Sequence, residues 1–132
     1  MKTVLITGAG GGIGKQTALY FAKNNWTVIA TLLQSSESND FKDYPHIFSY
    51  EMDVTSTESI ASASKIILEN HPKIDTVINN AGMGYRSFVE LSEDKKIDDI
   101  VNLNWLGVVK VCRAFIPKFR QQKYGQFINI TS

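Results

Sequence analysis

Thr7-Gly8-Ala9-Gly10-Gly11-Gly12-Ile13-Gly14 is the stretch on which the fold turns. The run before it, Lys2-Thr3-Val4-Leu5-Ile6-Thr7, is β-branched and apolar, the composition of a strand buried on both faces. After it, Ile13, Thr17, Ala18, Phe21 and Ala22 fall on one face of a helix. A glycine-rich turn between a buried strand and an amphipathic helix is a phosphate site. Glycine lets the backbone take positive φ and approach a ligand closely, and the free N–H groups at a helix start favour an anion. The expected ligand is the pyrophosphate of a dinucleotide, held by the backbone of Gly8, Gly10, Gly11, Gly12, Ile13 and Gly14.

Spacing separates this turn from other phosphate loops. G-x-G-x-x-G fails, because counted from Gly8 its last position is Ile13. The Walker A loop fails, because Ala9 stands where its first glycine belongs and Gln16 follows Lys15. A methyltransferase reading of Gly8, Gly10 and Gly12 asks for a carboxylate near the end of the first strand, where Ile6 and Thr7 sit. T-G-x-x-x-G-x-G fits, with Gly8, Gly12 and Gly14, and resembles the nucleotide loop of the short-chain dehydrogenase/reductase family. By itself the motif leaves open a glycine-rich turn in some other α/β protein.

Downstream, apolar runs and helical stripes alternate. Thr27 to Leu32 reads as a second buried strand, following the Asn24-Asn25 stop of the first helix. Gln34 to Pro45 is polar and reads as a surface loop with room for a helical turn. His46 to Met52 is a third strand. Thr55-Ser56-Thr57-Glu58 reads as a capping box opening a helix with the stripe Ile60, Ala63, Ile67 and Leu68, ending near His71-Pro72. Asp75 to Asn79 is a fourth strand, and a loop with a short helix leads to Asn104. Trp105 to Gln122 is a helix apolar around most of its girth, so that both the sheet and a partner subunit are expected to cover it. Pro117 implies a kink or early fraying there, and Gln126 to Thr131 is a fifth strand. Such alternation gives a parallel sheet with right-handed crossovers, whose ligands sit beyond the carboxyl ends of the strands where strand order reverses. Every polar cluster discussed below falls at such an end.

The 132 residues suffice for one domain with a real core, and 43% hydrophobic residues suit a globular chain. A net charge of +1 gives no basic or acidic surface for nucleic acid or membrane. Cys112 has no partner for an internal disulfide and reads as a small core residue. No apolar run reads as a bilayer crossing, and the chain opens directly on a strand, so a cytoplasmic protein is expected. His46 and His71 read as solvated, and two histidines and a cysteine far apart match no metal-ligand spacing.

Asn79-Asn80-Ala81-Gly82 is the sharper second signal: two amides and two minimal residues after a buried strand suit a turn passing under a bound ribose. With the glycine turn it extends the resemblance to short-chain dehydrogenases from Lys2 to Ser132. The resemblance implies a three-layer α/β, Rossmann-type doubly wound parallel sheet, five strands in the order 3-2-1-4-5, forming a single NAD(P)-binding domain over 1–132. It also implies cofactor contacts from Asn80, Ala81 and Gly82, from Asp53 to the adenine amino group, and from the Val54 backbone N–H to a ring nitrogen. Asp53 could equally be a helix-start residue favoured by the dipole. Asn104, with Gly107 three places on, resembles the asparagine that holds a water in the proton relay, and Asn102 is its local competitor. Ser132 resembles the serine that hydrogen-bonds the substrate oxygen. After the second strand, Leu32 and Leu33 stand where NAD enzymes place an acid and NADP enzymes a guanidinium, so the reading leans to NADP and leaves NAD open.

The family's base is a tyrosine about a dozen residues beyond that serine, in Y-x-x-x-K, whose lysine lowers the phenol from its ordinary pKa of about 10. No tyrosine here has lysine four places on: Tyr20, Tyr44, Tyr50, Tyr85 and Tyr124 are followed there by Asn24, Phe48, Val54, Val89 and Ile128. The expectation is therefore a domain incomplete at its C-terminus, lacking the family's last strands, pairing helix and lid. It would be the cofactor half of an NAD(P)-dependent oxidoreductase acting on a secondary alcohol or carbonyl, inactive by itself. Met83, Gly84, Tyr85, Arg86 and Phe88 are expected to border the pocket. Homo-oligomerisation through Trp105–Gln122 is expected of the full-length protein. The competing readings are a non-enzymatic dinucleotide module, as sensor or scaffold, and another Rossmann-like enzyme such as a methyltransferase.

Overall fold

A computed structural model describes residues 1–131, so Ser132 lies outside the described residues. Five parallel strands, β1 (Thr3–Ile6), β2 (Thr27–Leu32), β3 (Ile47–Glu51), β4 (Thr76–Asn79) and β5 (Gln126–Asn129), form one sheet in the order β3-β2-β1-β4-β5. β1 is central and wholly buried, which is why Val4, Leu5 and Ile6 run without a polar break. Order reverses between β1 and β4, placing the switch point beside the glycine turn.

Alternation along the strands makes two cores. Leu5, Ile29 and Val77 pack with Ile60 and Ile67 of α2 (Thr57–Asn70) and with Val111 and Phe115 of α4 (Gly107–Gln122). Val4, Ile6, Val28 and Ala30 pack on the other face against Ala18 of α1 (Gly12–Lys23) and against Phe41. Each fully buried side chain of this size contributes roughly 1.5–3 kcal/mol relative to exposure. Helix, sheet and helix thus form three layers.

Gln34–Pro45 carries the helical turn expected there, a 3-10 helix over Ser35–Phe41 that seats Phe41 in the core. Two elements differ from expectation. The α2 cap is Ser56, whose Oγ accepts from Ser59 N at 3.1 Å, one residue later than the expected box. Thr55 is diverted because its N–H and hydroxyl both donate to Asp53 Oδ1, at 2.9 and 2.6 Å.

The second difference is larger. The helix expected from Trp105 begins at α3 (Asp94–Ile100) and passes through a π-helical stretch, Val101–Leu106, directly into α4. Over its 29 residues, Asp94–Gln122 is long and apolar enough by composition to cross a bilayer, contrary to the sequence reading. Here Val111, Phe115 and Phe119 of α4 pack against the sheet instead. The helix passes Pro117 without early fraying and ends at Gln122, with Lys123 left-handed at φ 62°. Trp105, Val109 and Ile116 stay exposed, while the sheet covers Val111, Phe115 and Phe119.

Candidate functional site: the cleft at the glycine turn

The site is assembled by a clasp between the two sequence signals. Thr7 Oγ1, buried at the end of β1, accepts from Asn80 N and from Ala81 N, each at 3.0 Å. Asn80 Nδ2 returns two bonds, to Thr7 O at 3.1 Å and Gly8 O at 3.2 Å. Gly8 is left-handed at φ +63°, and a Cβ there would come within 2.7 Å of Ala81 Cα. A Cβ on Gly14 would overlap Gly8 O and Asn80 Nδ2. Both glycines are therefore required by packing between the two loops.

Gly11 and Gly12 differ: a Cβ on either meets nothing within 4 Å. Gly11 is the N-cap of α1, no side chain caps the helix, and its first turn holds no acid. The amide donors of that turn are claimed by no side-chain cap, as an anion site requires. Gly11, Gly12 and Ile13 of the turn line a cleft of about 750 Å³, bordered also by Leu33, Val54, Gly82 and Asn104.

Most of the expected site residues meet here: Gly8, Gly11, Gly12, Ile13, Val54, Asn80, Ala81, Gly82 and Asn104 all line the cleft. Gly14 lies behind it as a packing residue. Gly10 faces a second groove on the outer flank of α1, together with Lys15 and Tyr20. Leu32 is a correction: it is 1% exposed in the core, whereas Leu33 is 67% exposed and lines the cleft. Asp53 does not line the cleft; its Oδ1 holds Thr55 and its N donates to Ser59 Oγ at 2.9 Å, the helix-start role. Met83 and Gly84 border the cleft, while Tyr85, Arg86 and Phe88 lie outside it. The serine assignment, Ser132, falls outside the described residues.

Asn104 sits within the π-helical stretch, and a π turn inside an α-helix shifts the side chains that follow it. Its Oδ1 accepts from Met83 N at 2.9 Å and its Nδ2 donates to Met83 O at 2.8 Å. Both polar ends thus fasten the Gly82–Gly84 wall of the cleft. A Cβ on Gly107, one helical turn along, would come within 2.8 Å of Val54 Cγ2, so that glycine lets α4 approach the β3 end.

Among groups the sequence left unassigned, Thr7 matters most. It belonged to the motif, but its hydroxyl's role depends on a corner more than seventy positions away. His71 is not simply solvated: its Nε2 lies 3.0 Å from Tyr50 Oη, its ring packs edge-on against Phe48 and Tyr50, and partial burial lowers its pKa. Cys112 is half-buried; burial pushes its thiol up, opposed by Asn79 Nδ2, 3.4 Å from Sγ.

A doubly wound parallel sheet with an open glycine turn at its switch point defines a Rossmann-type dinucleotide domain. The family model for short chain dehydrogenases matches residues 2–132, and the chain belongs to that family of oxidoreductases. It is 34% identical over 131 residues to 3-ketodihydrosphingosine reductase of Bacteroides thetaiotaomicron, covering 99% of this chain and 47% of the relative. Among solved structures it superposes on ElxO with NADP bound (TM-score 0.93, 29% identity, 99% of this chain and 55% of that one). It also superposes on 3-ketoacyl-(acyl-carrier-protein) reductase from Brucella melitensis complexed with NADH (TM-score 0.91, 28% identity, 99% and 57%). The chain spans about half the length of these relatives.

Proposed function

We propose that this chain is the cofactor-binding half of an NAD(P)-dependent oxidoreductase that interconverts a secondary alcohol and a carbonyl. The observation that carries the reading is the clasp of Thr7 on Asn80 and Ala81, which sets the uncapped start of α1 and the Asn-rich corner on one cleft. The fit to a dinucleotide rests on this chain's own atoms: an uncapped, side-chain-free turn at Gly11 and Gly12 for the diphosphate, and a corner at Asn80–Gly82 lining the same cleft for the sugar. When bound, the nicotinamide would accept or deliver the hydride. Asn104 would serve as a positioning residue, fixing Met83 and hence the wall beside the reacting ring. The NADP-bound and NADH-bound neighbours support a nicotinamide cofactor in general.

The 132 residues hold no tyrosine with lysine four places on, so the general base of the proposed reaction is missing from them. Turnover of an alcohol or ketone by this chain alone is therefore expected to be absent. The exposed apolar face of Trp105, Val109 and Ile116 supports self-association of the full-length protein through that helix. A cytoplasmic setting, with no nucleic acid or membrane partner, fits the net charge of +1. Titration with NADH, NADPH and S-adenosylmethionine tests the core of the reading. Saturation by a nicotinamide dinucleotide alone is expected; saturation by S-adenosylmethionine alone would overturn it in favour of a methyltransferase-like protein.

A further inference from the structure

We propose that Met83 is a peroxide-sensitive modification site, and that its oxidation to the sulfoxide weakens dinucleotide binding in the cleft. The proposal rests on the cofactor reading above. Both backbone groups of Met83 are engaged: its N–H donates to Asn104 Oδ1 at 2.9 Å, and its carbonyl accepts from Asn104 Nδ2 at 2.8 Å. The backbone is therefore pinned, and what the residue has left to offer the cleft it lines is its thioether. Met83 is 41% exposed, open to a small dissolved oxidant. The other two methionines of the chain provide the contrast. Met52 lines the same cleft but is only 3% exposed, within the core that holds Ile60 and Val111. Met1 is exposed but sits at the opposite end of the sheet, where Thr27 Oγ1 donates to its Sδ at 3.8 Å. Only Met83 is both accessible and on the cleft.

The chemistry needs only hydrogen peroxide. The sulfur lone pair attacks one peroxide oxygen, the O–O bond breaks as the S–O bond forms, and water leaves. Sulfur is oxidised by two electrons and the peroxide is reduced. The product is polar and chiral where the thioether was flexible and apolar. A dinucleotide in the cleft would bury that new oxygen, and the amides around it are already committed. Asn104 Nδ2 donates to the Met83 carbonyl, and Asn80 Nδ2 donates to Thr7 O and Gly8 O. Cys112, the chain's one thiol, competes poorly for the oxidant: it is half-buried, and burial pushes its pKa up, away from the reactive thiolate. Methionine sulfoxide reductases reverse the change, so Met83 can act as a switch.

The test exposes the purified protein to graded hydrogen peroxide, locates the added oxygen by peptide mass spectrometry, and measures NADH and NADPH binding by calorimetry once the oxidant is removed. Thermal melting of the same samples controls for unfolding. Met1 and Met83 should gain oxygen while Met52 is spared. Affinity should fall about tenfold in step with Met83 alone, the scale of burying one polar oxygen without a partner. Saturating NAD during exposure should shield Met83 and not Met1, and methionine sulfoxide reductases should restore binding. A Met83→Leu variant, compared with its own untreated form, should lose no affinity. Resistance of Met83 at peroxide levels that modify Met1, oxidised Met83 with affinity unchanged, a loss the reductases do not reverse, or an equal loss in Met83→Leu overturns the proposal and leaves the cofactor site standing. Failure of the untreated protein to bind either dinucleotide overturns the cofactor reading itself, and the proposal with it.

Discussion

Two strand-to-helix turns open on the same edge of the sheet, and they are built in opposite ways. Between β3 and α2 the side chains close the turn: Asp53 holds Thr55, Ser59 Oγ accepts from Asp53 N, and Ser56 caps Ser59 N. Between β1 and α1 no side chain does so; Gly11 leaves the first helical amides unclaimed. With glycine at the cap position, forgoing a side-chain cap sacrifices only a few tenths of a kcal/mol of helix stability. A turn that satisfies its own donors has nothing left for a ligand, and one that leaves them open is a site. The contrast identifies the functional turn without reference to any relative.

The contrast can be broken most forcefully behind the open turn. Gly14→Ala drives a methyl into Gly8 O and Asn80 Nδ2, and a loss of roughly 3 kcal/mol in urea unfolding, together with lost dinucleotide binding, is expected. Thr7→Val comes next. It removes the acceptor for two part-buried N–H groups, and about 2 kcal/mol of stability and most of the binding should go with it. At the closed turn, Ser56→Ala should lower stability by about 1 kcal/mol yet leave dinucleotide affinity unchanged, the reverse of what a binding turn would show. Gly11→Ala sharpens the comparison, because its φ of −163° is open to any residue and its Cβ meets nothing. Stability should stay within about 0.5 kcal/mol, while affinity falls through crowding of the anion.

The smallest effect lies at the far end of α2. Partial burial lowers the His71 pKa in the folded protein, so the native state binds fewer protons than the unfolded chain just below the ordinary value of 6.5. Its contribution is fully present above that value and is lost as pH falls through the lower native pKa. Thermal melts at pH 7.5 and 5.5 should show a drop in Tm that His71→Gln reduces.

Much of this was legible from sequence because it depends on local pattern. β2 matches to the residue, since Thr27–Leu32 is bounded by Asn25 on one side and a polar run on the other. The glycine turn and the Asn80 corner could be read because few residue types suit such backbones. What could not be read depends on contacts between distant segments. Leu32 and Leu33 are chemically identical in a string, and a shift of one position moves a side chain from cleft to core. The cap slipped to Ser56 because Asp53 competes for Thr55. The long helix was cut short at Trp105 because Asp94–Ile100 carries no buried stripe of its own to announce it.

The clasp at Thr7 also has a temporal side. It joins positions 73 apart, so the Thr7 hydroxyl, though made early, has no Asn80 to hold until the fourth strand has been synthesised and seated beside the first. Local helices such as α1 can form long before then, whereas the crevice requires closure of a loop more than half the chain in length. Affinity for a nucleotide should therefore be among the last properties a nascent chain acquires. A ligand present during refolding would act as a late lock on the completed sheet and would not nucleate it.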